Sequence, residues 1–489
     1  MSNNTTLTQY DDLLINDADV AAIVIRERLR PVQGARGVFF PPTFAASGRG
    51  KSDYQIDRFG PRADDPEGAQ KDGVVASRCT VDSVPSQANR LEARLLKYSG
   101  TLIPKVTISG SRVGQGSIDL LEVGHRVGDA VVRYSKVKVT NNGNEEEKDG
   151  FEPFEAALQA YVKGDAAPLA KLAPTSLVFG HWDSRDSATK KSTKSKARRL
   201  IRSEIVAFNV QKVTKRSQYW SSIDPEVSQE LEQILKEAKE AAQDNPESKN
   251  PASQLGMTDV PAPESPGGVI AFGPIERTAI IALSGVRALA TFKEATPTGE
   301  TEIDDEKTLA LRRYLFALAL AAAADPGVWD LREGCILVRE SKKDGEKTVA
   351  DPTAFTAVTV KHSGAEDTFA APANGAAKSY LDAAAKAFFG EAAFPAPVTL
   401  AFDPSGAKAA VSTKGGNNAG EPKKRGDFVK ALTALPEYAG KEAELKKKNV
   451  GDLKKLWVEA KPKTGDAPAA SEASTDAEES ATGDDDAET

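Results

Sequence analysis

Between Leu200 and Val210, apolar and polar residues alternate with a period of two. Ile201, Ser203, Ile205 and Ala207 fall on one side, Arg202, Glu204, Val206 and Phe208 on the other, which predicts a long strand with one mostly apolar face. Ala88, Leu91 and Leu95 recur at helical spacing and predict a helix over Ser86–Lys97. Gln87, Arg90, Arg94 and Lys97 would then stack on its polar face. Helices are also expected over residues 10–31, 117–135, 151–162, 224–243, 304–324 and 376–389. Strands are expected over 101–109, 176–182, 334–339, 355–361 and 397–402, with a short extended piece at Val38–Phe40. Residues 143–150 read as a charged turn, and 245–268 as a linker rich in Pro, Ser and Gly. Residues 269–289 are apolar in a pattern that fits helix or strand, and 423–458 suit one or two short basic helices. No repeat of fixed period is present, and the interleaving of both element types favours an α/β or α+β sandwich.

At 489 residues the chain is long enough for two to four average domains or one elaborated domain. It is 40% hydrophobic and 28% charged, ordinary for a soluble globular protein. Its longest apolar run, Tyr314–Ala324, is too short to span a bilayer, and the polar start Met1-Ser2-Asn3-Asn4-Thr5 predicts no signal peptide. Cys79 and Cys335 are the only cysteines, too few for a disulfide framework, so a cytoplasmic location and no membrane partner are expected.

The net charge of −7 hides an uneven distribution. Residues 465–489 hold nine acids and no base, which leaves 64 bases against 62 acids in the rest. That composition predicts a disordered acidic tail behind a nearly neutral body. Within the body, Arg185–Arg216 holds eleven Lys or Arg and two acids, Asp186 and Glu204. Its first part reads as a lysine-rich loop and its second as the strand above. A basic loop feeding a basic strand suits a polyanion, because Lys and Arg displace counterions from phosphates; a solvated lysine loop is the plain alternative.

Little in the chain suggests catalysis. His125, His181 and His362 are the only histidines, and none lies at metal-ligand spacing. His181 and Asp183 would share one side of a strand, which makes half a metal or acid–base site at most. Gly110–Ser117 is rich in glycine but lacks the Gly-Lys-Ser/Thr ending of a phosphate loop, so it reads as a flexible turn before a helix. No Gly-x-Ser-x-Gly occurs. No metal or cofactor is expected. By contrast, Gln87, Arg90, Arg94 and Lys97, with Arg126 and Arg133, the basic segment and the aromatics Trp182 and Tyr54, make the distributed set that a single-stranded nucleic acid requires.

Five segments in order carry a family resemblance: Val81–Glu92, His125–Ser135, Ala173–Arg185, Arg199–Ile205 and Leu331–Val338. Together they resemble the CRISPR-associated RAMP backbone subunit of type I-G (formerly I-U) interference complexes. The likeness runs from about residue 20 to 340, and more faintly to 460. It implies an α+β fold, an RRM-like, ferredoxin-type core with finger and thumb insertions. Residues 1–216 would be the N-terminal part of that core with a basic thumb loop, 217–268 an insertion, 269–464 the remaining core with a helical extension, and 465–489 the tail. It also implies a non-catalytic subunit that binds the crRNA guide and polymerises along it with copies of itself, displacing a guide base at intervals with its thumb. The guide would be presented to target DNA, with the large subunit and a guide-end-capping RAMP subunit as further partners.

By position, the resemblance places RNA contacts at Gln87, Asn89, Arg90, His125, Arg126, Arg133, Trp182, Arg185, Arg199 and Arg202. Lys190, Lys191, Lys194 and Lys196 would face phosphates or belong to the thumb. Two other classes are open: an endoribonuclease using Asp57 or Asp183 with a nearby histidine, and a scaffold with no nucleic-acid partner.

Overall fold

Residues 20–31, within the stretch expected to be helical, form a strand. In the computed structural model β1 is Val20–Pro31, preceded by the one-turn helix Asp11–Leu14. Its side chains alternate: Ile23, Ile25, Glu27 and Leu29 are buried, while Arg26 and Arg28 have side chains 40% and 45% exposed. A β-branched run enclosed by neighbouring strands settles as a strand whatever local spacing suggests. The structure describes residues 6–45, 52–59, 76–112, 115–141, 144–182, 195–219, 233–237, 240, 260–293, 302–323, 328–390, 394–408, 425–433, 436–438 and 440–460. They group into two units, 1–409 and 410–489.

The larger unit is α+β. Its main sheet has nine strands. After β1 these are β2 (Ile56–Arg58) and β3 (Ser77–Asp82). A second sheet of five strands holds β4 (Val106–Arg112), β5 (Gln115–Asp119), β6 (Ser135–Asn141), β7 (Asn144–Asp149) and, far along the chain, β18 (Val398–Phe402). Between them in sequence lie β8 (His181–Trp182), β9 (Lys196–Ala197), β10 (Ile201–Phe208), β11 (Val210–Tyr219), β12 (Val260–Ala271) and β13 (Ile275–Ala282). β14 (Val328–Arg332), β15 (Cys335–Arg339), β16 (Phe355–Lys361) and β17 (Glu366–Thr368) follow. The main sheet runs β14-β15-β1-β13-β10-β3-β2, with β16 also on β1 and β17 on β16. Its pairings are antiparallel, whereas β18 joins β4 in parallel.

The helices are α1 (Val84–Ala93), α2 (Glu152–Val162), α3 (Ala167–Leu172), α4 (Thr175–Val178), α5 (Leu283–Arg287), α6 (Asp305–Ala323) and α7 (Asn374–Phe389). The expected helices at 151–162, 304–324 and 376–389 and the strands at 334–339, 355–361 and 397–402 are all present within a few residues. α6 is buried on nearly every side, because after Arg312 and Arg313, which bond to the Leu289 carbonyl and to Asp11, it holds no charged residue. Tyr314 stacks on Phe388 of α7 with ring centroids 5.1 Å apart.

Several further expectations are corrected. Residues 117–135 are not one helix but the end of β5, two 3-10 turns at Leu120–Glu122 and Arg126–Gly128, and a single helical turn at Ala130–Arg133. Asp119 and Asp129 each accept a hydrogen bond from a backbone N–H two residues on, which favours short turns over a continuous helix. Residues 176–178 belong to α4, and only His181–Trp182 are extended, after Gly180, whose φ is +79°. The charged turn at 143–150 is β7, paired with β6. The linker at 245–268 ends as β12, which forms a ribbon with β11. The glycine-rich stretch near 110–117 joins β4 to β5 as a hairpin rather than opening a helix. Of the helix expected at 224–243, residues 233–237 and 240 are described and helical, and the acidic tail lies outside the described residues.

A buried polar chain crosses the inner face of the main sheet. Glu27 accepts from Arg277 Nη1 at 2.9 Å, from Arg339 Nη2 at 2.6 Å and from Trp329 Nε1 at 3.3 Å. Arg277 Nε donates to Ser203 Oγ at 3.1 Å, and Ser203 donates to Gln87 Oε1 at 2.8 Å. Gln87 Nε2 donates to Asp82 at 2.6 Å, and Asp82 also receives Arg90 Nε at 3.1 Å. A charge taken this far from water requires opposite charge and hydrogen bonds around it.

Candidate nucleic-acid interface

Trp182 is the most exposed large apolar side chain among the described residues, at 64%. Its position follows from local backbone requirements. Pro174 precedes α4, α4 ends after one turn, and Gly180 takes the left-handed conformation that turns the chain into β8. There Trp182 pairs with Lys196 and His181 with Ala197. His181 is buried, with Nε2 2.6 Å from Ser195 Oγ and Nδ1 3.3 Å from the Ser176 carbonyl, and its ring meets Tyr161 edge-on. It is therefore a clamp on the ribbon.

Around Trp182 the charges are positive. Lys196 Nζ stands 5.7 Å from the ring centroid, a cation–π contact. Arg198 and Arg199 follow in the chain, both exposed and both without an acidic partner among the described residues. Arg202 lies on the outer face of β10 with a side chain 59% exposed, 3.4 Å from Glu204. Partial burial, then the charges of Arg126 and Arg202, lower the pKa of Arg199 below the ordinary arginine value. Like charges held together in this way are relieved by an incoming anion.

Beneath this surface lies Arg126, 5% exposed and at φ +52°. Its Nε donates to Glu92 Oε2 at 2.8 Å and its Nη1 to the Gly180 carbonyl at 3.2 Å, with the guanidinium 5.3 Å from the Phe179 ring centroid. Burial pushes the Glu92 carboxyl up to about 7, against the lowering effect of Arg126. Gly180 admits the Arg199 stem: a Cβ there would meet Arg199 Cγ and the Ala197 carbonyl oxygen, each at 2.9 Å.

The expected contact residues thus divide. Trp182 and Lys196 face each other on the ribbon, and Arg199 and Arg202, near enough for their charges to interact, follow it in the chain. Asn89 and His125 are exposed, on α1 and just before Arg126. Gln87 is a correction: it is fully buried, its amide held by Asp82 and Ser203, so it offers no surface to a nucleic acid. Arg126 and Arg133 are also buried, against the expectation of direct contact; Arg133 Nη2 donates to the Gly128 carbonyl at 3.1 Å. Arg90 is half-buried and holds Asp82 and, at 2.6 Å, the Leu331 carbonyl. Arg94, expected beside them on that polar face, sits 4.5 Å from the Trp329 ring centroid. Arg185, Lys190, Lys191 and Lys194 lie outside the described residues, as does Asp183.

Arg198 was not among the expected contacts, and neither was the cleft beside it. That cleft, of about 460 Å³, is walled by Tyr161, Val162, Leu177 and Leu289, with Lys196 and Arg198 among its lining residues. Its walls come from α2, α4, β9 and the turn after α5, too far apart in sequence for any local pattern to join them.

Among the described residues, no cluster of three or more His, Cys, Asp or Glu could hold a metal ion. Burial pushes the Cys79 and Cys335 thiols up to about 12 and about 11, so both stay protonated near neutral pH. No helix among the described residues is long and apolar enough to cross a membrane.

Residues 23–212 match the family described as CRISPR-associated protein GSU0053. The match begins in β1, ends in β11, and contains every residue of the Trp182 surface. It supports a CRISPR-associated role for this part of the chain. No curated protein matches the chain.

Proposed function

We propose that the chain is a non-catalytic, cytoplasmic crRNA-binding backbone subunit of a type I-G CRISPR interference complex, built on an RRM-like core. The observation that carries this reading is the exposed Trp182 ring with Lys196 against it, followed in the chain by Arg198 and Arg199, which have no acidic partners among the described residues. An open aromatic face stacks on an unpaired base, and cations beside it hold the adjoining phosphates; that combination suits single strands and tolerates any sequence. The CRISPR-associated family match over the same residues supports a guide RNA as that strand.

In this reading, copies of the chain line up along one guide, and target DNA is read by pairing with the guide rather than by the protein. The large subunit and a guide-end-capping RAMP subunit complete the assembly. The deciding experiment is purification from cells that express a guide. Bound RNA and oligomers that dissociate with nuclease are expected; protein free of nucleic acid and monomeric would overturn the reading. A single-turnover assay on labelled guide precursor, with and without divalent metal, should show no cleavage above background.

A further inference from the structure

The unit formed by 410–489 carries a core of its own. Phe428, Val429, Leu432, Leu445 and Leu453 are buried together, with Tyr438, Leu456 and Trp457 against them. They come from α8 (Arg425–Thr433), α9 (Glu442–Leu445), α10 (Val450–Ala460) and a 3-10 turn at Pro436–Tyr438. The matched family span ends at residue 212, so nothing in that match bears on this unit.

Its surface is rich in lysine over one short stretch. Residues 446–455 hold five lysines and one acid. The acid, Asp452, is engaged at the start of α10: its backbone N–H donates to Asn449 Oδ1 at 3.0 Å, and its carboxylate accepts from Asn449 Nδ2 at 2.8 Å. Lys446 pairs with Glu442 at 2.7 Å. Lys447, Lys454 and Lys455 are exposed and have no acidic partner among the described residues, while Leu453 beside them anchors the helix in the core.

The aromatic residues decide what kind of polyanion fits. The Trp182 surface offers an open ring; among its described residues this unit does not. Phe428 is buried, Trp457 packs on the core, and Tyr438 is half-buried with Lys441 Nζ 5.7 Å from its centroid. Lysines without a stacking platform suit a ligand whose bases are already paired and whose phosphates line its outside. We propose that this unit is a second nucleic-acid surface, which holds the phosphate backbone of a duplex without sequence preference through Lys447, Lys454 and Lys455. The proposal does not rest on the guide-RNA reading of the Trp182 surface.

The test uses the full chain and fluorescence anisotropy over a salt series, with a labelled DNA duplex, an RNA duplex of the same sequence and a single-stranded RNA. Replacing the three lysines with Gln should weaken duplex binding and make its log–log salt slope shallower by about 0.9 for each phosphate no longer neutralised. Single-strand binding should stay as in the parent, and the Lys→Arg triple should bind the duplex as the parent does. A loss confined to the DNA duplex would assign the source to DNA; an equal loss for both duplexes would assign the shared phosphate backbone. Unchanged duplex affinity and slope in the Gln triple would overturn the proposal. So would an equal loss of single-strand binding, a failure of the Arg triple to bind, or no duplex binding by the parent at low salt, the outcome expected if an acidic protein is the natural occupant.

Discussion

Lys196 Nζ stands 5.7 Å from the centroid of the Trp182 ring, and the two residues are directly paired across a two-residue ribbon. The ring and the ammonium thus act as one surface with separable contributions. Trp182→Ala should weaken single-stranded RNA binding by about 1–3 kcal/mol, the worth of one stacked base, and leave the salt slope unchanged. Anisotropy at several salt concentrations separates this from Lys196→Ala, which should change the slope.

Arg199 and Arg202 lie on the same surface, and Arg199 has no acidic partner among the described residues. Replacing both with Ala should reduce affinity for all RNA sequences alike and make the salt slope shallower by about 0.7 for each phosphate released. Competition between RNAs of different composition measures the uniformity, and a sequence-dependent loss would argue for base readout instead.

Gly180 is the tightest point of the site. A Cβ would meet the Ala197 carbonyl oxygen and Arg199 Cγ at 2.9 Å, on a backbone with φ +79°. Gly180→Ala should destabilise the fold by about 1–3 kcal/mol and displace the Arg199 stem. Denaturant melts report the first effect. RNA affinity measured where the variant is fully folded reports the second.

Glu92 and Arg126 form a buried pair in which burial raises the carboxyl from 4.5 to about 7. The folded protein therefore holds this proton more tightly than the unfolded chain does. The resulting stability is complete below about 4.5 and is lost as pH rises through about 7. Glu92→Gln should remove that component, so parent and variant melting temperatures should change relative to each other across this window, with the parent losing ground as pH rises. Arg126→Met removes the charge that holds the Glu92 pKa down, so the carboxyl should keep its proton to higher pH; the cost should approach about 3–5 kcal/mol only in alkaline buffer, and adding Glu92→Gln should recover part of it there.

Much of the scaffold is legible in the sequence because its periodicities are strong. The inward row Ile201, Ser203, Ile205 and Ala207 and the helix around Leu91 emerge as expected, and both rest on residues repeating along one element. β1 is not, because Ile23, Ile25 and Leu29 gain their strand identity from neighbours hundreds of residues away, such as Ile281 and Ile275. The site is legible in kind and only partly in detail. The polar face of α1 reads as solvent-facing, yet Gln87 turns inward because Asp82 accepts from its amide nitrogen and Ser203 donates to its amide oxygen. The sequence marks where cations are concentrated, but which of them reach water depends on where acids such as Asp82 and Glu92 come to lie. Arg198, one residue from an expected contact, is set apart only by the fold that places it at the cleft.

The Trp182 ribbon is two pairs long, and its register is held from below by the His181–Ser195 contact. Side chains on a strand exchange faces when it slips by one position. A one-residue slip would therefore bring Ala197 opposite the tryptophan in place of Lys196. What keeps the ammonium beside the ring is therefore a buried imidazole and a serine hydroxyl, neither of which belongs to the exposed surface itself.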